Sequence, residues 1–203
     1  MAYRPPRHPC CRVILSNRAI LAGIAAGRFD ISPLAGRDPA ISPFNTSAVD
    51  LRLNNQIQVP KRHPAAVDLR QPGIAQFLTK ISDTFTITNE QAFTLTPGKF
   101  VLAQTIERVD FPLTSDGPCH SGRVEGRSSL ARCGILVHFT APTIHAGYKG
   151  PITLEIANLG PLNFLLYPGM FICQLIIEEV EGIPFDAPNQ FKGQTTPAGL
   201  TQG

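Results

Sequence analysis

Along the chain, apolar positions change period once near the start and then settle into short alternations. Ile20, Leu21, Ile24 and Ala25 recur at three-to-four spacing behind Ser16, which predicts a helix over 17–28 with Ser16 as its N-cap. A second short helix is predicted around 74–81, after Pro72-Gly73. Elsewhere the signal is strand and turn. The segments 85–87, 93–96, 100–106, 135–140, 152–157, 164–167 and 171–180 are short, rich in β-branched and aromatic residues, and bounded by Gly, Pro or Asn. Many short strands with few helices predict a mainly β protein, a β-barrel or a jelly-roll-like sandwich.

One of these alternations carries a charge. In an extended strand Ile152, Leu154 and Ile156 share one face, while Thr153, Glu155 and Ala157 share the other. Glu155 therefore points away from the core, toward a pocket or solvent.

Composition narrows the picture. A chain of 203 residues with 43% hydrophobic and 16% charged residues is globular, and it is long enough for one domain with a real core. No stretch approaches the length of a membrane span, and the first residues lack the apolar run of a secretory signal, so a cytoplasmic protein is expected. The net charge of +3 comes from Arg4, Arg7 and Arg12; the remaining 15 basic residues balance 15 acidic ones. A neutral body argues against a nucleic-acid groove. Residues 1–12 are expected to form a disordered basic arm, 13–183 the domain, and 184–203, rich in Pro, Gly, Gln and Thr, a mobile tail. Five cysteines, odd in number and irregularly spaced, fit a reducing compartment rather than a disulfide framework. Zinc is not expected, because the chain has neither a His-x-Glu element nor a Pro-Cys-x-x-Cys element.

The densest chemistry lies in Glu125-Gly126-Arg127-Ser128-Ser129-Leu130-Ala131-Arg132, where two guanidinium groups and two hydroxyls fall within six residues. Such a set can hold a polyphosphate and a reacting water. This segment is followed in order by Val137-His138-Phe139-Thr140-Ala141, Gly147-Tyr148-Lys149-Gly150, Thr153-Leu154-Glu155, Pro168-Gly169-Met170 and Gln174-Leu175. Upstream stand Ile14-Leu15-Ser16, Val49-Asp50-Leu51-Arg52-Leu53 and Pro97-Gly98-Lys99, and downstream Phe191-Lys192-Gly193-Gln194. Together, over roughly 13–198, these motifs resemble the dCTP deaminases of the dUTPase-like superfamily.

The resemblance implies a distorted jelly roll assembled as a homotrimer, with active sites between subunits. It implies hydrolysis of dCTP to dUTP and ammonia, with Glu155 as proton shuttle, Ser128 and the Ala141 carbonyl holding water, and Arg132 stabilising the reacting group. It assigns Arg127, Ser129 and the turn amides of Leu130 and Ala131 to phosphate, Gln174 and Gln194 to the triphosphate, with Gln194 in a C-terminal lid, and Tyr148 to the deoxyribose. Thr153 and Leu154 adjoin Glu155 among the substrate contacts. Mg²⁺ would accompany the triphosphate, and dTTP would act as inhibitor. Taken singly, a strand glutamate is usually solvated and an arginine beside serine is usually surface chemistry; the ordered set is what distinguishes them.

One departure matters. The family commonly has Ile-Asp-Pro-Gly before the aromatic, whereas this chain reads Ile144-His145-Ala146-Gly147-Tyr148. In dUTPases the corresponding carboxylate orients the sugar and activates the water that attacks phosphorus. His145 can still bond a sugar hydroxyl, but it matches pyrophosphate cleavage less well. The alternatives left open are a dUTPase, a bifunctional enzyme releasing dUMP and pyrophosphate, a non-catalytic nucleotide-binding member, and deamination of a related cytosine nucleotide. His138 reads as structural; Asp50 resembles the superfamily's first motif, with a turn or capping role left open beside it.

Overall fold

The computed structural model describes residues 13–64, 66–115, 117–187, 194 and 196–199. The basic arm and most of the tail lie outside the described residues. Helix α1 (Asn17–Ala25) opens on Ser16, whose hydroxyl accepts from the Ala19 amide at 3.3 Å. It stops three residues short of the predicted end, before Gly27 in the left-handed region at φ 67°. Strands β1 (Asp30–Ser32), β2 (Phe44–Asn45), β3 (Ala48–Arg52) and β4 (Gln56–Pro60) lead to helix α2 (Ile74–Ile81). Next come β5 (Ser82–Thr86), β6 (Phe93–Leu95), β7 (Phe100–Asp110) and β8 (Cys119–Gly126). The single-turn helix α3 (Ser128–Ala131) precedes β9 (Ile135–Val137), β10 (Thr143–Ile144), β11 (Lys149–Asn158), β12 (Phe164–Leu166) and β13 (Phe171–Val180).

The strands form two open antiparallel sheets and a small ribbon. One sheet runs β5-β4-β7-β11-β9, with β1 also on β7; the other runs β10-β8-β13-β3-β2; β12 pairs with β6. The expectation of a mainly β sandwich holds, but among the described residues no barrel closes, and there are three short helices rather than one or two. The sheets share a single core in which Ile152, Leu154 and Ile156 from β11 meet Leu51 from β3 and Leu175 from β13, all fully buried. Burying such side chains contributes about 1.5–3 kcal/mol each before conformational entropy is counted.

A charged pair ties the sheets together. Glu107 on β7 is 1% exposed and accepts from the Arg52 amide at 2.7 Å and from Arg52 Nε at 2.6 Å; Arg52 Nη2 reaches on to the Pro33 carbonyl at 2.8 Å. Removing one member of such a pair would strand a buried charge. At the end of β11, fully buried Asn158 donates to the carbonyls of Leu95 (2.9 Å) and Leu162 (2.7 Å) and accepts from Gly160 N (3.0 Å), which fixes the turn beside β9.

One buried group is sensitive to pH. His120 on β8 packs 4.8 Å from the Phe29 ring, and neither ring nitrogen has a hydrogen-bond partner among the described residues. Burial pushes its pKa down, the charge of Arg28 adds to this, and Glu179 opposes it. A base depressed in the folded state leaves stability intact above its unfolded value of about 6.5 and erodes it as pH falls through that value. The protein should therefore lose stability as pH falls below about 6.5, and His120→Leu should flatten that dependence in denaturant titrations. An unchanged slope in the variant would assign the effect elsewhere.

Candidate active site

Register places Glu155 before any chemistry does. β11 pairs with β7 so that Glu155 faces Leu102 and Thr153 faces Gln104, while Ile156 pairs with Val137 on β9. The core therefore takes the isoleucines and Leu154, and the opposite face carries Thr153, Glu155, Leu102 and Gln104. On that face the Thr153 hydroxyl and the Gln104 amide nitrogen are buried and have no hydrogen-bond partner among the described residues. Buried polar atoms of this kind are normally met by water, ligand or partner.

Glu155 is half-buried, with 32% of its side chain exposed, and Oε2 lies 3.0 Å from His138 Nδ1. The approach is an electrostatic contact that falls short of an aligned hydrogen bond. The other ring nitrogen of His138, Nε2, sits 2.8 Å from the Ala141 carbonyl, and the His138 amide donates to the Glu155 carbonyl at 2.8 Å. His138 thus joins the two groups that the resemblance assigns to shuttle and water. It does so from the left-handed region, at φ 64°, the one non-glycine residue with positive φ among those described. That turn ends β9 at Val137 where the sequence predicts strand to 140, and it brings the 138–141 loop onto Glu155. Strain of this type persists where surrounding structure over-determines it.

Burial pushes the Glu155 carboxyl up. The His138 ring, by contact and by charge, and the amides of Glu155 and Phe139 outweigh that, so the group titrates below the usual carboxylate value. Near neutral pH it is a carboxylate, ready to accept a proton.

A second cluster gathers around Arg127. The residue caps α3 from the β8 side; its Nη2 lies 3.2 Å from Asp50 Oδ2, its Nη1 donates to the Phe171 carbonyl at 3.3 Å, and its guanidinium stands 5.6 Å above the Phe171 ring. Gln174, paired with Asp50 on β3 and Glu125 on β8, donates to the Gly126 carbonyl at 3.4 Å. Asp50, whose reading from sequence is split between a superfamily motif and a turn or cap, is a buried acid within this cluster.

The α3 turn is more committed than the sequence suggests. Leu130 N and Ala131 N both donate to the Arg127 carbonyl, at 3.0 and 2.9 Å, so these two amides are engaged within the chain rather than presented to an anion. Ser128, Ser129, Ala131 and Arg132 are exposed, and neither Ser128 nor Arg132 makes a hydrogen bond or ion pair with Glu155. A third cluster holds Tyr148 and Gln194. The Tyr148 hydroxyl donates to the Pro151 carbonyl, and Gln194 Nε2 donates to Tyr148 Oη at 3.0 Å. Burial raises the Tyr148 pKa against the lowering effects of Gln194 and Arg108. Leu154 points into the core, and His145 is exposed. Among the described residues no group of three or more His, Cys, Asp or Glu side chains is arranged to hold a metal ion.

The dCTP deaminase-like family model matches residues 14–180 of this sequence, and the chain belongs to that family. It is 39% identical over 168 residues to the dCTP deaminase of Rhodospirillum rubrum, covering 81% of each chain, and 37% identical over 175 residues to that of Halorubrum lacusprofundi, covering 83% of this chain and 78% of that one. It is 35% identical over 195 residues to a dCTP deaminase, dUMP-forming, of Methanosphaera stadtmanae, covering 91% of each. Among solved structures, the 2′-deoxycytidine 5′-triphosphate deaminase of Agrobacterium tumefaciens superposes with a TM-score of 0.62 at 20% identity, over 83% of this chain and 48% of that one. At that identity the match speaks for the fold.

The His138 contact predicts a kinetic signature. His138→Ala should raise the Glu155 pKa, moving the acid limb of the kcat/KM profile for dCTP to higher pH. A limb that stays in place would show that His138 does not hold the carboxylate.

Proposed function

We propose that this protein hydrolyses dCTP to dUTP and ammonia. The observation that carries the reading is the half-buried Glu155, kept as a carboxylate by His138 beside the Ala141 carbonyl. Water held by the Ser128 hydroxyl and the Ala141 carbonyl gives a proton to Glu155 as its oxygen attacks C4 of cytosine. Glu155 passes that proton to N3. In the tetrahedral intermediate the new C4 hydroxyl loses its proton through Glu155 to the amino nitrogen, the C4–N4 bond breaks, and ammonia leaves a carbonyl at C4. A positioned acid/base of this kind supplies about 10²- to 10⁴-fold. Arg132 stabilises charge developing on the ring in a site from which water is excluded.

Arg127, Ser129, Gln174 and Gln194 serve the triphosphate, and Tyr148 the deoxyribose. Mg²⁺ enters with the triphosphate as part of the substrate and keeps several of its waters. Because Ser128 and Arg132 make no hydrogen bond or ion pair with Glu155 within one chain, we infer that they meet it across an interface in a homotrimer. Exposed Phe100 and Phe139, stacked edge to face at 5.6 Å, with Leu159, Leu162 and Leu165 also exposed, supply apolar surface for such an assembly. A reducing, cytoplasmic setting suits the free Cys119, Cys133 and Cys173.

A second reading is favoured by one finding: the relative matched over 91% of both chains is named dUMP-forming. His145 weighs against it, since the aspartate that the family pattern uses at this position is missing.

Incubation with dCTP should yield dUTP and ammonia in equal amounts with little dUMP; dUMP with pyrophosphate would promote the bifunctional reading, and no turnover would overturn both. A zinc-selective chelator with Mg²⁺ resupplied should leave the rate intact, and loss that only zinc repairs would contradict the mechanism. Light scattering should give about three times the chain mass, as closed cyclic symmetry requires; a monomer that turns over dCTP would refute the shared site.

A further inference from the structure

We propose that Asp50 is a positioning residue for the triphosphate: it sets the Arg127 guanidinium in place before nucleotide arrives. The inference rests on the reading of Arg127 as a phosphate contact, and the geometry around Asp50 carries the rest. Asp50 is 5% exposed, and its two carboxylate oxygens have separate partners. Asn45 Nδ2 donates to Oδ1 at 3.0 Å, and Arg127 Nη2 stands 3.2 Å from Oδ2. Asn45 lies on β2, which pairs with β3, so the carboxylate is oriented from the edge of its own sheet.

Arg127 is restrained from three directions. Asp50 takes one amino group, the Phe171 carbonyl takes the other, and the Phe171 ring lies beneath the guanidinium plane. A guanidinium carries five N–H donors. Two are engaged here, which leaves donors to meet an anion without the side chain having to search its rotamers. Asp50 also neutralises Arg127 in the empty protein, so the arginine is held close to the fold rather than extended into water. Cross-strand pairing puts Gln174 directly opposite Asp50, so the same register that orients the acid also aligns the second phosphate candidate.

A merely structural ion pair would destabilise the protein on mutation and lower all activities together. A positioning acid should act on the phosphate chain alone. In Asp50→Ala, KM for dCTP should rise about tenfold or more while kcat changes much less, as expected when an interaction shared by ground and transition states is lost. Calorimetry should show dUTP affinity falling by a similar factor with dUMP affinity nearly unchanged. The double variant Asp50→Ala/Arg127→Ala should bind dUTP no worse than Arg127→Ala alone, because Asp50 acts through the arginine.

Equal losses for dUTP and dUMP, additive losses in the double variant, or a fall confined to kcat would overturn the proposal. Should Asp50→Ala fail to fold, Asp50→Asn, which keeps the shape and removes the charge, takes its place in the same comparison. The two claims separate cleanly. If the wild-type protein does not deaminate dCTP, the functional reading fails, while the dUTP and dUMP titrations still test the pairing of Asp50 with Arg127.

Discussion

Everything at the candidate active site depends on the register of β11. With Ile152, Leu154 and Ile156 committed to the core and paired against β7 and β9, Glu155 has only one side on which to emerge. A slip of one residue would bury the carboxylate among aliphatic side chains and expose three large apolar ones, a change far costlier than a domain's marginal stability allows. The acid is therefore placed by hydrophobic burial, and only then tuned by its neighbours. His138 does the tuning from a strained turn, with one ring nitrogen toward the carboxylate and the other toward the Ala141 carbonyl.

Three charged groupings divide the work between stability and chemistry. Arg52 and Glu107 connect the two sheets, with the carboxylate buried and the guanidinium partly open to solvent. Asp50 and Arg127 sit where the β8 strand turns into α3, with the arginine a third exposed. Glu155, on the outer face of β11, meets His138 from the loop after β9. In each grouping one member is buried and the other partly exposed.

Much of this was legible from the sequence, for reasons that differ by segment. β13 was read at its observed bounds because Phe171 to Val180 is a long apolar run between turn residues, and α2 because Pro72-Gly73 marks its start. β8 escaped notice because Cys-His-Ser-Gly-Arg-Val-Glu-Gly has little β-branched content; its strand character comes from eight paired positions against β13. The four-residue α3 is too short to show a period. The sequence predicts β9 too long because no local signal announces a left-handed histidine, and a histidine placed on a strand before Thr140 reads as structural. Sequence leaves Asp50 between a motif and a turn residue because its partner Arg127 is 77 positions away, and only the fold brings them together. The ordered motifs located Glu155, Arg127 and Gln174; they could not show that the Leu130 and Ala131 amides are engaged by Arg127, or that Gln194 meets the Tyr148 hydroxyl.

The claim that a single carboxylate moves the protons is tested most directly by Glu155→Gln, which keeps size and hydrogen-bonding shape but cannot accept a proton. Turnover of dCTP and affinity for dUTP should be measured on the same preparation. Turnover reduced by about a hundredfold or more with dUTP affinity retained is the result the account predicts. Deamination at the wild-type rate would contradict it and remove Glu155 from the reaction.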